Sequence, residues 1–243
     1  MNIIWLDSID STNSEALRRL RTLPSGTVLA AREQTAGRGQ RGNSWFTEPG
    51  KNLTFSLVLK FEEDMLPAAQ AHWLNYLTSV AITRFLDTYG VDSRIKWPND
   101  IYVNRRKICG VLIENTLRDS SLEASVIGVG ININQRTFPQ LANATSLYNC
   151  CGKEHDLDLC MEQLSGFFQD ELSALFDEDS RVALFERYSS RLFQRGVQAL
   201  YRDLLQDEEY SGVLEGVEAD GRLCIREGKV CRYYRFKEVS YIL

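Results

Sequence analysis

Residues 93–115, SRIKWPNDIYVNRRKICGVLIEN, decide the fold, because short runs of β-forming residues alternate there with polar turns. The pattern predicts strands over 93–96, 101–103 and 107–115, and another strand over 122–133. Asn104-Arg105-Arg106 is typical of a tight turn between two of these strands. In the other turn, 96–100, proline fixes the backbone, and a lysine, an asparagine and an aspartate converge at a strand end.

The segments before this stretch predict further strands and two helices. Strands are expected over 2–6, 27–32 and 53–59, and the last of these alternates apolar and polar residues, as a strand with one buried face does. A helix is predicted from Thr12, where Glu15 completes a capping box, to about Arg21. The longest helix is predicted from Pro67 to about Tyr89.

The segments after these strands predict two helices, followed by a region of short strands and turns. Helices are expected over 157–176 and 180–193, and from Gly196 onward short strands are separated by the hairpin signals Asp220-Gly221 and Glu227-Gly228. The order predicts an α+β protein in two parts. Residues 1–194 are expected to form a domain of mixed helices and strands, and residues 195–243 a small all-β module.

Composition excludes several classes of function. The 243 residues are 44% apolar and carry a formal net charge of −5, whereas nucleic-acid binders usually have a basic excess, so we expect no nucleic-acid partner. The N-terminus, MNIIWLDSIDST, is not a signal peptide and no apolar run is long enough to span a membrane, so we expect a cytoplasmic protein. Six scattered cysteines and two histidines predict no metal site, and the cysteines are expected to be reduced and mostly buried.

Three segments suggest chemistry, and each has a structural alternative. Gly37-Arg38-Gly39-Gln40-Arg41-Gly42 offers backbone N–H groups and two arginines to an anion, but it lacks the ending of a Walker A loop and is alternatively a flexible surface loop. Lys107 stands at the entrance of an apolar strand, where a lysine is alternatively only solvated. Gly128 and Gly130 interrupt another strand, which indicates either the close approach of a ligand or a bulge.

Taken together, these segments closely resemble the biotin–protein ligase family. The resemblance rests on Gly37-Arg38-Gly39-x-Arg41-Gly42-x-x-Trp45, Lys96-Trp97-Pro98-Asn99-Asp100, Lys107-x-x-Gly110-x-Leu112-x-Glu114 and Gly128-x-Gly130-x-Asn132, which agree in order and spacing. It runs from about Ile9 to Asn134 and more weakly to the C-terminus. It implies a class II synthetase-like catalytic domain, in which a mixed β-sheet is backed by helices, followed by an SH3-like β-barrel.

The resemblance also implies a two-step reaction. ATP activates biotin to biotinyl-5′-AMP, and a lysine of a biotin carboxyl carrier protein then takes the biotin. The catalytic residues expected from the match are Lys107, Arg38 and Asp100. Biotin would contact Ser11, Thr12, Asn13, Gln34, Gly37, Arg38, Lys107 and Gly110. ATP and the adenylate would contact Arg38, Gln40, Arg41, Trp45, Asn99, Asp100, Lys107 and Asn132.

The resemblance leaves some points open. The family loop most often has arginine where Gln40 stands, and Arg41 is a candidate to supply the missing charge. Mg²⁺ would be held mostly by phosphates. The match begins within ten residues of Met1, so we expect no N-terminal DNA-binding domain and no repressor activity. A monomer or a homodimer is expected. The alternatives are a lipoate or octanoate ligase or transferase of related fold, and a non-catalytic biotin or nucleotide sensor.

Overall fold

The computed structural model describes residues 1–63, 65–139, 141 and 143–243, apart from the side chain of Arg41. The first sheet is built from β1 (Asn2–Ile9), β2 (Thr27–Gln34), β3 (Leu53–Lys60), β4 (Arg94–Lys96), β5 (Asp100–Val103), β6 (Arg106–Arg118) and β7 (Ser121–Ile131). The helices are α1 (Thr12–Arg18), α2 (His72–Asp87), α3 (Leu147–Cys151), α4 (Leu157–Glu171) and α5 (Glu178–Ser190). A second sheet contains β8 (Gln198–Asp203), β9 (Glu208–Val217), β10 (Leu223–Glu227), β11 (Val230–Tyr234) and β12 (Val239–Ile242).

The seven-stranded sheet is mixed, which confirms the predicted fold class. Its strand order is β1-β2-β3-β7-β6-β5-β4, with β1 and β2 parallel and the other neighbours antiparallel. Helices α2, α4 and α5 pack on one face, where residues such as Phe55, Phe85 and Phe168 form the main core. The short helix α1 packs on the opposite face through a smaller cluster that includes Ala16, Val58 and Val126.

Strand β3 corrects one sequence prediction. Residues 53–59 alternate as a half-exposed strand would, yet all of them are buried. The apolar positions, such as Phe55 and Leu57, face the main core, while Thr54 and Ser56 face the side that carries α1. A central strand is covered on both faces, so its polar side chains must find partners inside the protein.

Three helices also differ from prediction. Ala68–Gln70 forms a 3-10 turn, so α2 begins only at His72. Leu172–Leu175 also forms a 3-10 turn, so α4 ends at Glu171. The five-residue helix α3 was not predicted, because it is too short to show a helical period.

The six cysteines are all free, and only three of them are buried. The expectation of mostly buried cysteines was therefore wrong.

The second sheet is antiparallel, in the order β11-β10-β9-β8-β12, as expected for a small SH3-like module. It holds the turn between β4 and β5 from one side: the indole Nε1 of Trp97 donates to Gly221 O (3.3 Å), and its ring meets Phe236 edge-on at 6.3 Å. From helix α5, the hydroxyl of Tyr188 donates to Pro98 O (2.7 Å). The turn at 96–100 is therefore fixed between the two parts of the chain. The division at residues 194 and 195 stays a prediction.

Candidate active site

A cavity of about 800 Å³ opens above the α1 side of the sheet. Its volume falls in the range of small-molecule sites. The turn at 96–100, the glycine-rich loop, strands β6 and β7 and the second sheet all contribute to its lining. The predicted site residues that line it are Ser11, Thr12, Asn13, Gln34, Arg38, Gln40, Trp45, Asn99, Asp100, Lys107 and Gly110.

One end of the cavity is a cluster of neutral hydrogen-bonding groups. Gln34 Oε1 accepts from the backbone N of Thr12 (2.7 Å) and from its hydroxyl (3.1 Å). The hydroxyl of Ser56 lies 2.8 Å from the Thr12 hydroxyl and 2.6 Å from Asn13 Oδ1. Ser11 caps α1 by accepting from the backbone N of Ser14 at 3.5 Å. Ser56 was not predicted, because a serine inside an apolar strand has no distinguishing sequence signal.

Gly128 makes room for this cluster. It stands between Ser56 on β3 and Leu112 on β6, and a Cβ at Gly128 would lie 2.2 Å from Asn13 Oδ1. Asn13 in turn donates from Nδ2 to Leu112 O (3.2 Å) and to Glu114 Oε2 (2.9 Å). The pairing of β7 is regular at this glycine, so close approach by a side chain explains it and a bulge does not.

Gly110 and Gly130 form the floor for a tryptophan. The two glycines pair across β6 and β7, and the indole of Trp45 lies on them: a Cβ at Gly130 would be 2.3 Å from Trp45 Nε1, and one at Gly110 would be 2.8 Å from Trp45 Cζ3. Trp45 Nε1 is buried without a hydrogen-bond partner in the described part of the chain. The indole ring of Trp45 therefore packs directly on these two glycines, where any side chain would collide with it.

The other end of the cavity carries charge. Lys107 Nζ lies 2.8 Å from Asp100 Oδ2 and 5.8 Å from the centre of the Trp45 ring. Lys107 and Asp100 are both about one-third exposed, at 32% and 27% for their side chains. Because this ion pair is open to water, breaking it costs little free energy. The Lys107 ammonium can therefore leave Asp100 and bind an incoming anion instead.

The glycine-rich loop is fastened to β6 by a second ion pair. Arg38 donates from Nη2 to Glu114 Oε1 (2.6 Å) and from Nη1 to Ser14 Oγ (3.3 Å). The loop folds back on itself, since the backbone N of Trp45 donates to Gly37 O at 2.9 Å. Glu114 belongs to the motif quoted above, but its pairing with Arg38 is visible only in three dimensions.

Gln40 takes part in a different contact. Its Nε2 donates to Val111 O (2.9 Å) and to Asn99 Oδ1 (3.2 Å), while Asn99 Nδ2 donates to Asn75 Oδ1 (2.7 Å). The side chain of Arg41 lies outside the described residues, so its predicted role stays a prediction.

Lys96 was not among the predicted site residues, although it lines the cavity. Its Nζ lies 5.2 Å from the ring centres of both Tyr102 and Tyr241, which come from the two different sheets. No carboxylate of the described chain lies within ion-pair distance of it. Burial lowers the pKa of Lys96; the nearby Asp100 opposes this shift and the positive charge of Lys107 adds to it. The signal in sequence was its place in the 96–100 turn.

Two predicted residues do not line the cavity. Gly37 supports it through the backbone, where a Cβ would lie 2.3 Å from Trp45 O. Asn132 is buried and donates from Nδ2 to Thr145 O (2.9 Å), so it anchors the segment after β7. The predicted contact of Asn132 with a nucleotide stays a prediction.

Neither metal ligands nor membrane spans are found in the part of the chain that the structure describes. No three His, Cys, Asp or Glu side chains there are grouped as a metal ion would require. None of the helices there is both long and apolar enough to cross a bilayer.

Comparison with known proteins gives this cavity a context. Residues 5–132 match the biotin/lipoate A/B protein ligase family. The chain is 38% identical to the biotin–[acetyl-CoA-carboxylase] ligase of Paracoccus denitrificans, over 89% of this chain and 91% of that protein. It is 30% identical to the bifunctional ligase/repressor BirA of Escherichia coli, over 98% of this chain and 74% of that protein. It resembles the biotin protein ligase from Aquifex aeolicus in complex with biotin and ATP, with a TM-score of 0.80 and 27% identity over 98% of this chain and 97% of that one. The chain therefore belongs to the biotin/lipoate A/B protein ligase family.

Proposed function

We propose that this protein is a biotin–protein ligase, which activates biotin with ATP to biotinyl-5′-AMP and transfers the biotin to a lysine of a biotin carboxyl carrier protein. Family membership and the similarity to a ligase that binds biotin and ATP support the reaction class. The contacts in the cavity support the division of labour among its residues. The compartment that we propose for this reaction is the cytoplasm expected from the N-terminal sequence.

The observation that carries this proposal is the two-ended cavity. Thr12, Asn13 and Gln34 offer neutral donors and acceptors at one end, and Lys107 offers a cation at the other. Biotin has the matching form, a neutral ureido ring at one end and a carboxylate at the other. Lipoate also ends in a carboxylate, but its dithiolane ring offers the polar cluster no donor or acceptor. The cluster would lose its contact with water without gaining a hydrogen bond from the ligand, which costs binding energy.

In the first step, the biotin carboxylate attacks the α-phosphate of ATP, an acyl–phosphate bond forms, and pyrophosphate leaves. Two anions must meet, so the cation of Lys107 would leave Asp100 and donate to their oxygens. Arg38 would likewise exchange Glu114 for the phosphate and close the loop over the adenylate, which excludes water from the anhydride. Trp45 would cover the adenine from its glycine floor, beside Asn99 and Gln40.

In the second step, the amine of the carrier lysine attacks the acyl carbon, an amide forms, and AMP leaves with the bonding electrons. The amine must lose a proton, and Asp100 is placed to accept it once Lys107 has turned to the phosphate. Asp100 is the only carboxylate among the described residues that line the cavity. Mg²⁺ would therefore be held mainly by phosphate oxygens, with Asp100 as its one candidate protein ligand.

The proposal is tested by incubating the purified protein with ATP, a carrier domain of acetyl-CoA carboxylase, and either biotin or lipoate. Mass spectrometry of the carrier measures the product. We expect modification with biotin and a specificity constant for lipoate lower by at least about a hundredfold, because the polar cluster would gain no hydrogen bond from lipoate. Equal or faster transfer of lipoate would show that the chain acts on the other acid of its family.

A further inference from the structure

Glu114 lies behind two residues of the cavity without lining it. It follows Leu112 by two positions on β6, so both side chains point to the same face of the sheet. Its Oε2 accepts from Asn13 Nδ2 (2.9 Å), and its Oε1 accepts from Arg38 Nη2 (2.6 Å). Asn13 and Arg38 both line the cavity. One carboxylate therefore joins the neutral end of the cavity to the glycine-rich loop.

The contact with Asn13 fixes the orientation of a buried amide. Leu112 O and the Glu114 carboxylate can only accept hydrogen bonds, so both contacts require the NH2 group of Asn13. The amide oxygen is thereby turned to Ser56, whose hydroxyl donates to Asn13 Oδ1 (2.6 Å). The NH2 group lies closer to Glu114 (2.9 Å) than to Leu112 O (3.2 Å). Glu114 is therefore the stronger of the two acceptors that hold this amide in one direction.

The contact with Arg38 holds a cation that faces the cavity. The Arg38 guanidinium also donates to Ser14 Oγ, but that contact is longer (3.3 Å) and its acceptor is neutral. An incoming phosphate must therefore compete with Glu114 for Arg38. The Arg38 side chain is 43% exposed and that of Glu114 26%, so water screens the ion pair and the competition is weak.

We propose that Glu114 is a positioning residue, which orients the Asn13 amide for the ring of biotin and holds Arg38 until a phosphate displaces it. The inference rests on the proposed function, in which biotin meets Asn13 and the phosphate meets Arg38. The two roles use different properties of one side chain. Asn13 requires only an acceptor atom, whereas Arg38 is held by negative charge.

Two substitutions separate these roles. Glu114→Gln keeps an acceptor oxygen for Asn13 and removes the negative charge, and Glu114→Met keeps a similar size and removes both. The matched controls are Glu123→Gln and Glu123→Met. Glu123 lies on β7 and forms an ion pair with Arg118 of β6, away from the cavity.

The measurements are two dissociation constants, obtained by calorimetry. One is for biotin without ATP. The other is for α,β-methylene-ATP without biotin, an analogue whose carbon bridge prevents the release of pyrophosphate. We expect Glu114→Met to raise Kd for biotin at least about fivefold, because the Asn13 amide loses its acceptor, and Glu114→Gln to change it less than about twofold. Both variants should lower Kd for the ATP analogue about twofold to fivefold, the scale of a solvent-exposed ion pair.

A purely structural role for Glu114 would weaken the binding of both ligands, so effects in opposite directions distinguish positioning from stability. An unchanged Kd for biotin in Glu114→Met, or an equal rise in both Glu114 variants, would overturn the role at Asn13. An unchanged or raised Kd for the ATP analogue in Glu114→Gln would overturn the role at Arg38. So would an equal change in the Glu123 controls.

Circular dichroism checks that each variant is folded, and Glu114→Ala replaces Glu114→Met in the same comparison if the latter does not fold. Failure of the wild-type protein to bind biotin would instead refute the proposed function.

Discussion

Lys107 stands at the start of β6, a position where the sequence allowed either a solvated lysine or a catalytic one. The structure places its ammonium 2.8 Å from Asp100 and next to the ring of Trp45. Neighbouring Arg106 is exposed and lies on the other side of the strand. Adjacent residues of a strand point to opposite faces, so only Lys107 reaches the cavity.

Lys107→Ala should therefore slow the formation of biotinyl-AMP by at least about a hundredfold, the scale of losing one charged transition-state contact. The fold should be intact, because Lys107 is partly exposed and its ion pair with Asp100 is open to water. Pyrophosphate release is the measurement, and Arg106→Ala is the control. Release at a near-normal rate from Lys107→Ala would contradict the role given to this residue.

Gln40 is the residue at which this chain departs from the family pattern. Its amide donates to Val111 O and to Asn99, so it ties the loop to the sheet without supplying positive charge. If Arg41 supplies that charge, Arg41→Ala should speed the escape of biotinyl-AMP more than Gln40→Ala does. The dissociation rate of biotinyl-AMP from each variant is the measurement. A larger effect of Gln40→Ala would show that the loop acts through hydrogen bonding and not through charge.

At the scale of single residues, the sequence identified side chains that belong to a motif, but it did not identify the residues that they contact. Lys107, Asp100 and Arg38 stand in recognisable patterns. Ser56, which completes the neutral cluster, and the pairing of Glu114 with Arg38 depend on which strands are neighbours, and that order is set by the whole sheet. Lys96 was visible in its motif, but the rings of Tyr102 and Tyr241 around it were not.

Strands β6 and β7 show the same lesson at the scale of an element. Two glycines in an apolar strand indicated either a bulge or close approach, and regular pairing shows that close approach is the reason. Because Gly128 has no side chain, Asn13 fits against it at the neutral end of the cavity, and Trp45 fits against Gly130 at the other end for the same reason. Under the proposed function, Gly128 would therefore lie in the part of β7 that faces biotin, and Gly130 in the part that faces the nucleotide.

Substituting each of the two glycines should therefore weaken the binding of one substrate more than that of the other. Gly128→Ala should raise KM for biotin by at least about tenfold, because its Cβ would displace Asn13, and should change KM for ATP less. Gly130→Ala should do the reverse, because its Cβ would displace Trp45. Gly166→Ala on α4 is the control, since a Cβ there meets nothing within 4 Å. If both site variants changed the same KM, the assignment of the two ends would be wrong.

The loop at 35–51 is a predicted lid. Thr35 and Ala36 donate to Ile9 O and Asp10 O, so their amides should resist hydrogen exchange without ligand. The rest of the loop is held to β6 by Arg38–Glu114 and Gln40. Fixing each residue costs roughly 1–2 kcal/mol, so a ligand with many contacts is needed to hold the loop shut.

Hydrogen exchange over residues 35–51 tests this lid. We expect biotin alone to add protection at Gly37 and Arg38, beyond the amides that are already hydrogen-bonded. Biotinyl-AMP should protect the remainder, because Arg38 and the loop amides then gain an anion and Trp45 gains a ring. Equal protection with and without biotinyl-AMP would show a fixed structural element.

Other elements differ from prediction for physical reasons that lie outside the local sequence. The alternation in β3 indicated an exposed face, but α1 and the neutral cluster cover it, and its polar residues Thr54 and Ser56 are hydrogen-bonded inside. The alternation of residue types shows which side chains are polar, but it does not show which of them are exposed to solvent. Helix α3 is too short to show a period at all.

At the scale of the whole molecule, the second sheet completes a site that the first sheet begins. The Trp97 and Lys96 side chains contact Tyr241 on β12 and also Gly221 and Phe236, which lie in turns that connect strands of the second sheet. The glycine-punctuated tail predicted this module, and the family resemblance of the first 134 residues implied the mixed sheet. Nothing in the tail's composition indicated that it would close over the 96–100 turn, because that contact joins residues more than a hundred positions apart.

The central claim is that one cavity makes an activated biotin and passes it to a carrier lysine. The most direct measurement loads the protein with ATP and biotin, removes both by gel filtration, and adds a carrier domain of acetyl-CoA carboxylase without ATP. A carrier biotinylated in a single turnover, in proportion to the biotinyl-AMP that stayed bound, is the predicted result. A protein that retains biotinyl-AMP yet leaves the carrier unmodified, or that forms no biotinyl-AMP at all, would contradict the claim.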